Sequence, residues 1–415
     1  MNAQVSFLDG EFSLIHIPRH LYSVFLEPIL RILLPQQESS EAGLDNAGGF
    51  QGLTADHRHV LLNVSVTPIE CSIVCHQSWV ERVFRPFLDA ALPADLRRAV
   101  GISPHPYIAL CVVSAGIDAG SRVVDLTSPL ALAGIPIFFI TTYFCDFILV
   151  PRKNRDSVIQ ALGTRGFVFS EADSSFTSPV MMASVRGRGP TTTMGGAGGG
   201  SSAPSTPPSS SSASAAISDL QDRTFELLKR QSVAPEARRS LHLVHCSGHE
   251  MHHVGGEISS LRPSLSRAHT GSGGGGGNGG GYRRPEPTWI DNIDPKLFAC
   301  LVAALASQPA FLSVTLSAED PPSLLLDRAL LPLFGDAVVG DTETDLVPIF
   351  LDLGGLPPET TGIVSGVAGR LVREMEAADT VELLYLSTAR AGTVILSQDR
   401  VEAAVGVLRP LQDKV

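Results

Sequence analysis

Ile140-Thr141-Thr142-Tyr143-Phe144-Cys145-Asp146-Phe147-Ile148-Leu149-Val150 is the stretch on which the fold turns. Two apolar, β-branched and aromatic runs flank a short turn, the pattern of a buried strand hairpin. The pattern returns 246 positions later as Leu386-Ser387-Thr388 and Thr393-Val394-Ile395-Leu396. At the same offset Asp156, Ile159 and Leu162 meet Glu402, Val405 and Leu408. Upstream, Leu62-Asn63-Val64 meets Leu312-Ser313-Val314 at an offset of 250. A near-constant offset over separate elements signals an internal duplication.

Each half divides again. Phe12–Ile17, His59–Thr67 and Cys71–Cys75 read as strands around helical spacing at Tyr22–Leu34, with a second helix over Trp79–Leu92. Tyr107–Val113, Ile137–Thr142 and Phe147–Val150 repeat that order, with helices over Ser121–Leu132 and Asp156–Leu162. The second half follows with strands near Leu241–His245, Phe311–Leu316, Leu324–Leu326, Val347–Leu353, Val381–Ser387 and Thr393–Leu396. The expected fold class is α+β: about four tandem ferredoxin-like units in two pairs, helices covering one face of an antiparallel sheet. The expected boundaries are 8–92, 104–172, 237–336 and 344–413. Gly187–Ala216 and Thr270–Gly281 are too rich in Gly, Ser, Thr and Pro to bury a core. They mark a low-complexity linker over 183–236 and a disordered insertion over 249–286.

Charge and cysteine usage narrow the function classes. The 415 residues carry a formal net charge of −11, while 183–285 holds 11 Lys+Arg and 6 Asp+Glu. The remainder, with 20 basic and 36 acidic residues, therefore stands at −16. Such a surface repels nucleic acid and anionic membranes. Cys71, Cys75, Cys111, Cys145, Cys246 and Cys300 lie mostly in apolar runs, as buried thiols of a reducing, cytoplasmic compartment do. Met1 to Pro18 lacks the pattern of a secretory signal. Pro129–Val150 imitates a membrane span, but Gly134 and Pro136 break a helix there and Asp146 sits near its end.

His249-Glu250-Met251-His252-His253 satisfies the His-Glu-x-x-His pattern of zinc peptidases. Gly255-Gly256 ends any helix after about one turn, and Ser259 stands where a third histidine belongs. Cys71 and Cys75 are two residues on one face of a strand rather than a ligand pair. No Walker, Gly-x-Ser-x-Gly or paired-carboxylate motif is present, so the expectation is a protein that is not an enzyme, with no metal and no cofactor.

The stretch from Thr141 to Val150 resembles the Ser-Thr-Tyr-x-x-Asp-Phe-Ile-Leu-Val hairpin of the CASTOR family. These are cytosolic arginine sensors of the TOR pathway, built from tandem ACT domains. The likeness extends over Val60–Val74 and, more weakly, over Gly362-Ile363-Val364 and Leu386-Ser387-Thr388, as in a divergent member. The resemblance implies an amino-acid ligand between the second and fourth units. It places Pro136 and Ile137 on one side, Glu359, Thr360, Gly362 and Ile363 on a covering loop and helix start, and Thr388, Ala389 and Gly392 on the facing hairpin. The family's two acidic positions fall on Thr360 and Gly392, with Glu359 one residue away. A guanidinium seeks carboxylates, so the expected ligand is an amino acid other than arginine. The resemblance also implies that Tyr143, Phe144 and Asp146 meet a GATOR-type signalling complex, and it allows a homodimer. The expectation is a non-enzymatic amino-acid-binding regulator; the alternative is an ACT-type allosteric subunit of an amino-acid biosynthetic enzyme.

Overall fold

The computed structural model describes residues 3–33, 36–37, 50–51, 61–114, 119–169, 210–249, 294–317, 320–375 and 382–411. Twelve of its strands are principal: β1 (Phe12–Pro18), β2 (Leu61–Val66), β3 (Glu70–His76), β4 (Tyr107–Ser114), β5 (Phe138–Thr141) and β6 (Asp146–Pro151) in the first half. The second half supplies β7 (Leu243–Gly248), β8 (Leu312–Ser317), β9 (Ser323–Asp327), β10 (Leu346–Asp352), β11 (Leu383–Ser387) and β12 (Ala391–Ser397). The main helices are α1 (Leu26–Leu33), α2 (77–91), α3 (Ala119–Leu132), α4 (Arg155–Gly163), α5 (Ser210–Arg230), α6 (Pro295–Ala306), α7 (Ile363–Met375) and α8 (Val401–Leu408).

The strands fall into four triplets, each paired first–third–second: β1-β3-β2, β4-β6-β5, β7-β9-β8 and β10-β12-β11. The expectation of tandem ferredoxin-like units does not hold. The triplets join edge to edge into one closed, twelve-stranded antiparallel barrel, with short extra strands such as Ala3–Phe7 alongside β4. Four seams close it. β2 and β8 pair over six residues, while the others rest on single ladder pairs: Ile140 with Leu386, Phe12 with Tyr107, and Leu243 with Leu346. The physical reason is the edge: a three-stranded sheet leaves two rows of unpaired N–H and C=O groups, and closure removes both.

The duplication sits on the seams. Val64 pairs with Val314, its own counterpart 250 positions on, and Ile140 with Leu386, its counterpart 246 positions on. A pseudo-two-fold axis therefore passes through both seams. Side chains obey it: Phe139 N–H donates to Ser387 Oγ (3.0 Å), and Tyr385 N–H to Thr141 Oγ1 (3.1 Å).

Closure also explains why strands such as Asp146–Pro151 and Leu346–Asp352 are apolar almost throughout: both faces are buried. Phe12, Ala109, Phe147, Leu243, Phe311, Phe350 and Ile395 fill the interior cluster. Outside, α1, α2 and α6 cover one half of the ring, and α3, α4, α5, α7 and α8 the other. Facing the barrel interior at the long seam, Asn63 donates to Ser313 Oγ and Thr315 Oγ1, and Ser65 donates to Asn63 Oδ1. A buried polar row is tolerated because it is paired.

Helix α5 falls in the segment read as linker. It buries Phe225 and Leu228, each worth roughly 1.5–3 kcal/mol on burial, against α7. The docking uses a small-residue face. A Cβ on Gly366 would lie 2.6 Å from the Thr224 side chain. Residues 170–209 and 250–293, which hold most of the two low-complexity tracts, lie outside the described residues. No helix among the described residues is long and apolar enough to cross a membrane.

Candidate functional site

A cleft of ≈ 430 Å3 opens where β1, β4, β5 and the β11–β12 hairpin meet the loop that leads into α7. Its walls are largely apolar, with Leu14, Ile102, Tyr107, Phe138, Leu356 and Val364 among them. Of the residues placed in a ligand site from sequence, Ile137, Thr360, Gly362, Ile363, Thr388 and Ala389 line this one cleft. They come from segments more than 220 positions apart. Pro136, Glu359 and Gly392 are not among the lining residues. Pro136 is half-buried beside Ile137. Glu359 is exposed and pairs with Lys153 at 3.5 Å. Gly392 backs onto Tyr385, whose hydroxyl leaves no room for a Cβ.

The loop over the cleft is built by local chemistry. Thr360 donates its N–H and its hydroxyl to Pro357 O, which closes a turn. Gly362 then takes φ +84°, a left-handed value that L side chains rarely adopt, and turns the chain into α7. The first amides of that helix lack intrahelical partners and favour an anionic group. On the floor, Tyr385 is 1% exposed and its hydroxyl has no hydrogen-bond partner. Burial pushes that phenol above its ordinary range. An orphaned buried hydroxyl costs roughly 1–3 kcal/mol.

Sequence reasoning missed the group that fixes the hairpin. Glu70, fully buried, meets His16 Nδ1 through Oε2 at 2.5 Å. Its Oε1 accepts from Thr388 Oγ1 (2.7 Å) and Arg390 N (2.6 Å). Ser72 Oγ accepts from Ala389 N at 3.0 Å. His16 lines the cleft, and Nε2 is the ring nitrogen that Glu70 does not engage. The signal was an acid and a histidine in strands otherwise built to be buried, which demands a partner for each.

The hairpin at Thr141–Asp146 is the pseudo-two-fold mate of the one at the cleft. Thr142 N–H and hydroxyl both donate to Cys145 O, as those of Thr388 do to Ala391 O. Tyr143 N–H donates to Ser323 Oγ at 2.9 Å, matching Ala389 and Ser72. Tyr143 stands where the cleft has Ala389. Its ring packs edge-on to His245 and against Gly340, so a side chain occupies this mate position. Tyr143 and Phe144 are about 40% exposed (39% and 41%). Asp146 is not at the surface: it is fully buried and pairs with Arg122 at 2.5 Å. Burial raises its carboxyl to about 6 against the opposing pull of Arg122. Burial lowers His245 to about 4.

All six cysteines are free thiols, five of them buried, and burial pushes Cys246 up to about 12. His249 bonds to Asp336 O at 2.7 Å through Nε2, and the rest of the His-Glu-x-x-His stretch lies outside the described residues.

The ACT domain family matches residues 102–164, which contain six residues of the cleft wall from Ile102 to Phe138. No curated protein matches the chain. Among solved structures, an Agrobacterium tumefaciens protein from a structural genomics consortium is 19% identical. It covers 41% of this chain and 93% of its own, with a TM-score of 0.25. Aspartate kinase from Synechocystis is 11% identical; the match covers 99% of this chain and 56% of the kinase, TM-score 0.29. A Vibrio cholerae protein of unknown function is 13% identical over 39% of this chain and 89% of its own, TM-score 0.22.

Proposed function

We propose that this chain is a non-enzymatic regulatory protein that binds a small amino acid in the cleft beside β5 and β11. One observation carries the reading: the cleft joins the ACT-matched segment to the α7 helix start around an unpartnered tyrosine hydroxyl. Its ≈ 430 Å3 fits a small molecule, whose pockets run to roughly 300–1,000 Å3. The α-carboxylate belongs at the amides of Gly362 and Ile363, and a ligand donor or acceptor at Tyr385 Oη.

The walls offer an apolar side chain its place. They offer a guanidinium little: Glu70 already serves His16, Thr388 and Arg390, and Glu359 is exposed beside Lys153. An apolar or small polar amino acid is therefore the ligand, in place of the arginine of the resembling CASTOR sensors. The partner surface of the TOR-pathway reading is the exposed Tyr143–Phe144 pair, for a GATOR-type complex in the cytoplasm.

A thermal-shift screen of the full chain against the twenty amino acids tests this, because a ligand of the native state raises the midpoint. One or a few apolar or small polar amino acids should shift it, and calorimetry should find arginine weak. Absence of any shift refutes the ligand. Micromolar arginine binding lost in Glu359→Ala refutes the specificity.

A further inference from the structure

At the opposite hairpin, inside the barrel end, Cys111, Cys145 and Asp320 converge. One ligand atom of each lies within 4.8 Å of the other two, the one such set among the described residues. Cys145 Sγ stands 3.5 Å from Asp320 Oδ2. In a tetrahedral zinc site, with Zn–S about 2.3 Å and Zn–O about 2.0–2.2 Å, neighbouring sulfur and oxygen ligands lie about 3.6 Å apart. The geometry points to a binding site for a divalent zinc-type ion held by Cys111, Cys145 and Asp320, with water in the fourth position.

Three separate elements hold the donors in place. Cys111 sits in the β4 ladder opposite Phe147. Cys145 closes the Thr142 turn, its own N–H donating to Thr142 Oγ1. Asp320 N–H donates to Ser317 Oγ at 3.1 Å. Both cysteines are 3% exposed, while Asp320 is half-buried and gives solvent its approach. Binding releases the two thiol protons to solvent, so the ion faces two thiolates and one carboxylate.

The duplication shows that the fold does not require these sulfurs. The counterpart turn ends in Ala391, and the counterpart of Cys111 in the ladder is Phe350, opposite Thr393. A half built with alanine and phenylalanine closes equally well. Two facing thiols and an acid on one side of the barrel are chemistry added to that plan. The site does not depend on the ligand assigned to the cleft.

The test uses tag-free full-length protein, reduced and stripped with a chelator, then titrated with Co2+ and separately with Zn2+. One equivalent of cobalt should bring up a sulfur-to-cobalt charge-transfer band, and elemental analysis should find one zinc per chain. Cys145→Ala, which copies the counterpart Ala391, should fold and lose the band. Asp320→Asn should fold and weaken zinc at least tenfold. His249→Ala/His253→Ala should keep the band, which separates this site from the histidine-rich stretch. A missing band overturns the proposal. So does a band that survives Cys145→Ala, or a Cys111–Cys145 disulfide in freshly isolated, zinc-free protein.

Discussion

Removal of Arg122 tests how the barrel tolerates its buried acid. Asp146 is 0% exposed, its Oδ2 meets Arg122 at 2.5 Å, and its Oδ1 has no hydrogen-bond partner. Arg122→Leu fills much of the same space and leaves the carboxylate without a charged partner beneath α3. An uncompensated buried charge costs roughly 3–5 kcal/mol. Domains hold only about 5–15 kcal/mol in total, so the variant should fold with a visibly lower urea midpoint at pH 7.5. The loss should shrink as pH is lowered to 5, since Asp146 is already raised to about 6 and a proton then neutralises it. Asp146→Asn in the Arg122→Leu background should recover most of the stability at pH 7.5. A loss below about 1 kcal/mol, or one of equal size at pH 5 and 7.5, would refute the assignment of Asp146 as a charge held by Arg122.

Two titrating groups should oppose each other. The raised Asp146 contributes stability that is complete below 3.8 and lost as pH rises through about 6; the lowered His245 contributes stability present above 6.5 and lost as pH falls through about 4. Asp146→Asn should therefore unmask a stability that climbs with pH between about 4 and 6.5, and a denaturation series parallel to the parent's would contradict this. Gly366→Val should push Thr224 and α5 off α7, at about 1–3 kcal/mol in urea unfolding and with faster proteolysis near α5; an unchanged midpoint would show that the close approach is not needed. Tyr385→Phe should leave the ligand-free protein equally or more stable, because it deletes an unpartnered hydroxyl, and should weaken the amino acid found in the thermal screen by about tenfold. Unchanged affinity in calorimetry would remove Tyr385 from the ligand's contacts.

The duplication and most strands were legible because a period of two, or a short apolar run bounded by turns, survives any tertiary arrangement. Ring closure was not. Three seams rest on one ladder pair each, such as Phe12 with Tyr107, and a contact of that size leaves no pattern along the chain. A strand apolar on both faces also reads the same whether it lies in an open sheet under helices or in a barrel wall. Helix α5 was hidden by its own start, since Ser210–Ala216 continues a low-complexity tract, although Leu220, Phe225 and Leu228 keep helical spacing. In the cleft, the lining loop was legible through a resembling motif. Glu70 and His16 were not, because nothing in the local sequence says that a strand's acid will meet a hairpin more than 300 positions later.

The two seams between the halves are built in different ways. Along β2 and β8, six backbone pairs and the Asn63–Ser65–Ser313–Thr315 row bind the halves. Opposite, at β5 and β11, one backbone pair and two side-chain bridges join the strands, and α3 packs on α7 across the same seam, with the Ser128 and Ser365 hydroxyls 2.9 Å apart. The halves are thus joined mainly through the backbone on one side and mainly through a helix layer on the other. The cleft lies beside the second seam, with Ile137 and Phe138 from one half and Tyr385, Ser387 and Thr388 from the other. A molecule seated there touches both halves beside the Phe139–Ser387 and Tyr385–Thr141 bridges, so amide exchange should slow first at Phe139 and Tyr385 and least along β2.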